Sequence, residues 1–308
     1  MTTTEPRPVT AQELGYDVRP IAGHIGAEIH GVDLSQPLDA TSVAAIRSTL
    51  LEFKVIFFRD QDITQAQHVA FGRYFGEVTP AHPTLPAVFD DHPEILLLDN
   101  QRYAPMGAAT VESRWHTDVT FVPNPPMGSI LRGVVVPPYG GDTQFTNLAL
   151  AYDRLSDPIK QMIDGLHAVH HNTLPISRGE MSSELRNQFQ SKPLSSVHPM
   201  VRMHPETGER VLFVNPNFTS HVYELSRQES GHLLAMLYEH LANASFTCRF
   251  RWQPGSIAFW DNRATAHLVP TDVPAGFHRS MQRITIAGDV PVGPDGSQSY
   301  ALSGDAFS

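Results

Sequence analysis

Residues Ser256 to Trp260 read SIAFW, a short unbroken run of apolar and β-forming residues. Runs of the same kind recur along the chain: IGAEIHGV (Ile25 to Val32), VIFF (Val55 to Phe58), ILLL (Ile95 to Leu98), SILRGVVV (Ser129 to Val136), RVLFV (Arg210 to Val214) and RITIAG (Arg283 to Gly288). Helical periodicity interrupts them over 42–53, where Val43, Ile46, Leu50 and Leu51 share a face, and over 64–75, with Val69, Phe71 and Phe75. Two further helices are predicted over 149–166, broken near Asp157-Pro158, and over 226–241, which opens with Ser226 and Glu229 at the spacing of a capping box. Many strands with few helices between them do not make the alternation of a parallel α/β fold. The expectation is a mainly β protein with external helices, an antiparallel jelly roll.

The 308 residues are 41% hydrophobic and 18% charged, enough to bury one large core. No repeat or low-complexity linker divides them, so a single domain is expected over 16–290. It lies between a flexible N-terminus, 1–15, and a flexible Gly-, Pro- and Ser-rich tail, 291–308. Two long stretches without a clear period, near 76–114 and 172–197, are expected to be walls or lids of a site. The formal charge of -10 argues against a nucleic-acid partner. The longest apolar runs fall far short of a membrane span, and the opening residues lack the apolar stretch of a secretory signal. The single cysteine, Cys248, excludes an internal disulfide and fits a reducing compartment. A cytoplasmic protein is expected, and a homo-oligomer, dimer or tetramer. The 16 histidines are the unusual count, and histidine is the commonest protein ligand of transition metals.

The strongest local signal is WHTDVTF, Trp115 to Phe121. On an extended chain His116 and Asp118 point to one face with Cα atoms about 6.5 Å apart, within reach of one metal. The alternative for an isolated His-x-Asp is a buried histidine hydrogen-bonded to a neighbouring carboxylate. The best third ligand is His267 in WDNRATAH, just after SIAFW. Two imidazoles and a carboxylate on one face of a metal are the set used by non-haem Fe(II) oxygenases, and zinc with the same ligands is the competing reading. Further on, in HRSMQRITIAG, Arg279 and Arg283 share a strand face with Met281. Arginines on an edge strand usually meet solvent. Here they follow a candidate metal ligand in an acidic chain, and guanidinium binds carboxylates and sulfonates through planar paired hydrogen bonds.

Taken together, WHTDVTF, PPMGSILRGVVVPPYGGDTQF (Pro125 to Phe145), HPETGERVLFVNPNFT (His204 to Thr219), RWQPGSIAFWDNRATAH (Arg251 to His267) and HRSMQR (His278 to Arg283) resemble the taurine dioxygenase family of Fe(II)- and 2-oxoglutarate-dependent oxygenases, over about residues 17 to 292. The resemblance implies a double-stranded β-helix of the clavaminate-synthase-like type, with Fe(II) held by His116, Asp118 and His267. It implies that Arg279 and Thr143, in GGDT, hold the distal carboxylate of 2-oxoglutarate, that His82, in TPAHPTLP, and Arg283 grip the sulfonate of the substrate, and that Phe218 forms an aromatic wall. From the residues alone, Thr143 reads as a turn residue, His82 as a loop histidine, Phe218 as core, and Trp115 as packing beside the metal.

Two positions depart from the taurine enzymes: Leu85 stands where they carry tyrosine, and Glu112 where they carry asparagine. Both border the non-sulfonate end of taurine, so a longer alkanesulfonate or alkyl sulfate is the expected substrate. The implied reaction uses O2, converts 2-oxoglutarate to succinate and CO2, and hydroxylates the carbon beside the sulfonate or sulfate group, releasing sulfite or sulfate and an aldehyde. Two alternatives remain at this stage: the same chemistry on a carboxylate such as an aryloxyalkanoate, and a jelly-roll binding protein with an inactive metal site.

Overall fold

A computed structural model describes residues 10–103, 114–174, 187 and 190–307. Its largest sheet has seven strands in the spatial order Asp17–Pro20, Ala27–His30, Val55–Phe58, Ile257–Asp261, Gly128–Val135, Ser280–Ile286 and Leu96–Asp99. The pairings are antiparallel except between Ala27–His30 and Val55–Phe58. A three-stranded sheet, Thr247–Phe250, Thr143–Asn147 and Thr265–Leu268, lies against it; a four-stranded sheet, Thr219–Val222, His167–His171, Ser195–Pro199 and Tyr300–Ser303, and a two-stranded one, Val201–Met203 with Arg210–Leu212, complete the described β framework. This is the expected jelly-roll architecture.

Side-chain alternation explains why SIAFW reads as unbroken. Ile257 and Phe259 join Ile56, Phe58, Ile130, Ile284 and Ile286 in a core shared with Ala45, Ile46 and Leu50 of the helix Ala40–Phe53 and Val69 and Phe71 of the helix Gln65–Arg73. Ala258 and Trp260 point the other way, joining Val55, Phe57, Leu131 and Met281 against Phe145 and Phe250 of the three-stranded sheet. A strand covered on both faces has no polar side to show in the sequence. Beyond the three-stranded sheet, Ala264 and Ala266 pack with Leu233, Leu234, Leu237 and Leu241 of the helix Arg227–Leu241. That helix opens with the capping box expected of Ser226 and Glu229. The helix expected over 149–166 is two helices, Leu148–Asp153 and Asp157–Ile163, the second with a proline in its first turn, where the missing N–H costs nothing.

The ends differ from expectation. Ala11 is buried and a short 3-10 helix covers Gln12–Leu14, so order begins inside the N-terminal segment expected to be flexible; residues 1–9 lie outside the described ones. The 291–308 tail is not loose over its described residues: Tyr300–Ser303 pairs with Ser195–Pro199. Phe307 packs with Val119, Phe121, Val122 and Leu194, and its backbone exchanges two hydrogen bonds of 2.8 Å with the Asn124 side chain. Burying one such phenylalanine contributes about 1.5–3 kcal/mol, an anchor that a polar composition does not reveal. Of the two expected lids, 104–113 and most of 175–189 lie outside the described residues. The flanking parts are built into the sheets through Leu96–Asp99 and Ser195–Pro199.

Candidate active site

His116 and His267 are tied to each other by the backbone, His116 N–H donating to the His267 carbonyl at 2.9 Å and His267 N–H to the His116 carbonyl at 2.7 Å. The chain then leaves the extended conformation: Val119 has φ 57, rare for a β-branched residue, in the turn that follows Thr117. His116 and Asp118 therefore converge through a bridge followed by a turn, where the sequence suggested one continuous strand. The ligand atoms of His116, Asp118 and His267 all lie within 4.8 Å of one another.

Their protonation states suit a cation. His116 Nδ1–H donates to the Arg114 carbonyl at 2.9 Å, which leaves the Nε2 lone pair exposed to the site. Burial, reinforced by the other imidazole and Arg283, lowers His267 to about 3, so its ring is neutral and an acceptor is available. His267 Nδ1 is buried with no hydrogen-bond partner among the described residues. Burial acts to raise Asp118, but Arg283 foremost among its neighbours outweighs it, and the carboxyl lies at about 2, ionised at neutral pH. Asp118 Oδ2 accepts a hydrogen bond of 2.6 Å from Ser129, and Oδ1 accepts from Arg283 Nη1 and lies 3.9 Å from His267 Nε2. Two neutral imidazoles and one carboxylate are donors suited to a divalent transition metal.

Arg283, only 7% exposed, projects from Ser280–Ile286 on the face of Met281 as the period of two requires. Its Nε has no hydrogen-bond partner among the described residues, so a buried guanidinium N–H remains to be satisfied. His82 lies beside it. The His82 Nδ1 accepts from the Thr84 backbone N–H at 3.1 Å, which places the proton on Nε2. Burial and then Arg283 lower His82 to about 3, making it a neutral donor. The His82 ring lies 5.9 Å from that of Phe121, Phe121 lies 5.1 Å from Phe218, and Phe218 meets His116 edge-on at 6.0 Å. Phe218 is thus brought to the His-Asp-His cluster, and Leu85 is half-buried three residues beyond His82. Glu112 lies outside the described residues. Trp115 packs with the helical core cluster, as expected.

Arg279 stands just before the same strand, whose pairing with Gly128–Val135 shifts register between Ser280 and Met281. Arg279 Nε donates to the Gly141 carbonyl at 3.0 Å, while its Nη2 is buried without a hydrogen-bond partner among the described residues. Burial, only partly offset by Asp142 and Asp272, lowers it to about 10, so it is still a cation at neutral pH. Thr143 is fully buried, and Trp252, unremarked in the sequence, donates its indole N–H to the Thr143 hydroxyl oxygen at 2.9 Å. Because indole only donates, the Thr143 hydroxyl hydrogen is left to point at another acceptor.

Gly141 makes this approach possible. Its φ is +68, and a Cβ there would stand 2.8 Å from Arg279 Cδ. Gly141→Ala combines left-handed strain of about 1–2 kcal/mol with displacement of Arg279; if Arg279 holds the distal carboxylate of 2-oxoglutarate, as the resemblance implies, the half-saturation for that molecule is expected to rise about tenfold. Steady-state succinate formation checks this; an unchanged value would mean that the arginine does not need this close contact.

The model of the taurine catabolism dioxygenase TauD, TfdA family matches residues 17–285. The chain is 42% identical over 293 residues to an alpha-ketoglutarate-dependent sulfate ester dioxygenase of Pseudomonas putida, covering 93% of this chain and 94% of that one. It is 38% identical over 286 residues to an alkylsulfatase of Acinetobacter baylyi, covering 91% and 87%. The crystal structure of a taurine dioxygenase from Burkholderia xenovorans superposes with a TM-score of 0.82 at 49% identity, covering 94% of this chain and 95% of that one.

Proposed function

Because the chain belongs to the taurine catabolism dioxygenase TauD, TfdA family, and so is an Fe(II)-dependent dioxygenase using 2-oxoglutarate and O2, we propose that it hydroxylates the carbon bearing a sulfate ester or sulfonate. The observation that carries this reading is Arg283: a buried guanidinium with an unmet N–H, touching the carboxylate of a His-Asp-His cluster and flanked by a neutral imidazole donor. An anionic substrate seated there has its anion beside the reacting centre.

In this reading His116, Asp118 and His267 hold Fe(II), which supplies the oxidising chemistry when bound. Arg279 and the hydroxyl of Thr143 take the distal carboxylate of 2-oxoglutarate. His82 and Arg283 hold the sulfate or sulfonate and decide which C–H bond faces the metal; the positioning is the protein's contribution. Phe121 and Phe218 keep water from the reacting carbon. For an alkyl sulfate, hydroxylation at the ester carbon gives a product that loses hydrogen sulfate as the carbonyl forms. The overall change is alkyl sulfate, 2-oxoglutarate and O2 to aldehyde, sulfate, succinate and CO2.

Leu85 sets the expected chain-length preference. Each methylene buried beside Leu85 adds about 0.8 kcal/mol, so two extra methylenes raise kcat/KM about tenfold until the pocket is full. A medium-chain alkyl sulfate is therefore expected to release sulfate and succinate faster than taurine releases sulfite and succinate. A strong preference for taurine that disappears in Glu112→Gln would reverse the expected preference and make the Glu112 carboxylate the determinant of an ammonium substrate. Succinate formed with aryloxyacetates and not with sulfates or sulfonates would overturn the organosulfur reading while keeping the oxygenase.

A further inference from the structure

We propose that Asn262 and Ser129 are positioning residues which, driven by the indole of Trp260, fix the Asp118 carboxylate so that Oδ2 is occupied by the Ser129 hydrogen bond while Oδ1, which also accepts from Arg283, is turned toward His267 and the metal. This rests on reading His116, Asp118 and His267 as the ligands.

The direction of each bond follows from donor chemistry. Trp260 Nε1 can only donate, and its N–H reaches Asn262 Oδ1 at 2.9 Å. That fixes the amide: the opposite orientation would set an NH2 against an N–H. Asn262 Nδ2 therefore faces Ser129 Oγ, at 2.8 Å, and an amide nitrogen cannot accept. Ser129 Oγ must accept, and its single hydrogen is delivered to Asp118 Oδ2 at 2.6 Å, the length of a charge-assisted O–H···O bond. Every member is essentially removed from water: Trp260 and Asn262 are 1% exposed, Ser129 0% and Asp118 2%. Water therefore cannot substitute for a lost link.

The backbone holds the relay rigidly. Trp260 and Ser129 are direct partners across the antiparallel pair Ile257–Asp261 and Gly128–Val135, and Asn262 N–H donates to the Met127 carbonyl at 2.9 Å. The turn carrying Asn262 is itself held: Arg263 donates to both oxygens of the buried Asp261, at 2.9 and 2.8 Å, and His204 Nε2–H donates to Asp261 Oδ2 at 3.0 Å. The same Trp260 ring lies 4.8 Å from the His267 ring, so one side chain places a histidine ligand by contact and starts the relay to the carboxylate ligand.

The test is titration of metal-free protein with Co(II), read from its visible absorption, with circular dichroism as a check on folding. Ser129→Ala is expected to weaken Co(II) binding about 10- to 100-fold and to change the absorption envelope. Asn262→Leu, which keeps the size of the side chain on a turn and removes the donor, is expected to weaken it about 3- to 10-fold, and the double variant no more than Ser129→Ala alone, because both act on the same oxygen. A purely structural role would lower stability and leave affinity and spectrum unchanged; that result, or losses that multiply in the double variant, overturns the relay. Should Ser129→Ala not fold, undiminished affinity in Asn262→Leu overturns it alone. Wild-type protein that binds no Co(II), or binds it equally in His267→Ala, removes the ligand assignment and the relay together; a wild-type site that needs His267 but ignores both positioning variants removes the relay only.

Discussion

His267→Ala is expected to abolish turnover, lowering succinate formation by about three orders of magnitude or more, while circular dichroism stays that of the wild type. In the proposed reading the imidazole is one of three converging ligands, and none of the other described residues joins them in a possible metal-binding cluster. The fold does not depend on the side chain, because the bridge to His116 is made by backbone atoms and the strand Thr265–Leu268 pairs with Thr143–Asn147 through its backbone. Near-wild-type activity in this variant would refute the ligand assignment.

Arg279→Ala should produce the second largest effect, on 2-oxoglutarate alone. The guanidinium is buried with an unmet N–H, and in the proposed reading its removal leaves the distal carboxylate of 2-oxoglutarate without its cation in a desolvated pocket. Breaking such a pair costs about 3–5 kcal/mol, so the half-saturation for 2-oxoglutarate should rise by about two to three orders of magnitude. Saturation by the sulfate ester should change little, because Arg283 and His82 are untouched. An unchanged dependence on 2-oxoglutarate would transfer the role to another residue; an equal loss for both substrates would point to collapse of the strand Ser280–Ile286.

The strands most legible in the sequence are those whose two faces are both apolar, such as Val55–Phe58 and Ile257–Asp261. Several illegible ones are just as buried but spend their polar side chains inside the protein. In His167–His171, His170 Nδ1 meets Thr120 Oγ1 at 2.9 Å. In Ser195–Pro199, His198 Nε2–H donates to the Thr120 carbonyl at 2.7 Å. In Thr143–Asn147, Thr146 donates to the Leu241 carbonyl at 2.6 Å. Polarity here records internal hydrogen bonding, which a one-dimensional pattern cannot separate from exposure. At the site, the spacing of His116 and Asp118 announced a pair of ligands although the turn at Val119 that joins them was not visible. Arg279, Thr143 and His82 became candidates through several separated motifs together. Ser129 stood at the edge of an apolar run, and Asn262 and Trp252 drew no remark, because a relay of hydrogen bonds exists only between segments distant in sequence.

The interleaving of the large sheet also constrains the order of events at synthesis. Ile257–Asp261 lies between Val55–Phe58 and Gly128–Val135, and Ser280–Ile286 lies between Gly128–Val135 and Leu96–Asp99. While only the first half of the chain has emerged from the ribosome, the inner edges of these early strands have nothing to pair with, and sheets closed by such distant contacts form slowly. His267 lies on the late-arriving side of that gap. With His267 read as a ligand, the full ligand set forms only once the sheet has closed, so the nascent chain meets aggregation without the protection that a bound metal gives a finished protein.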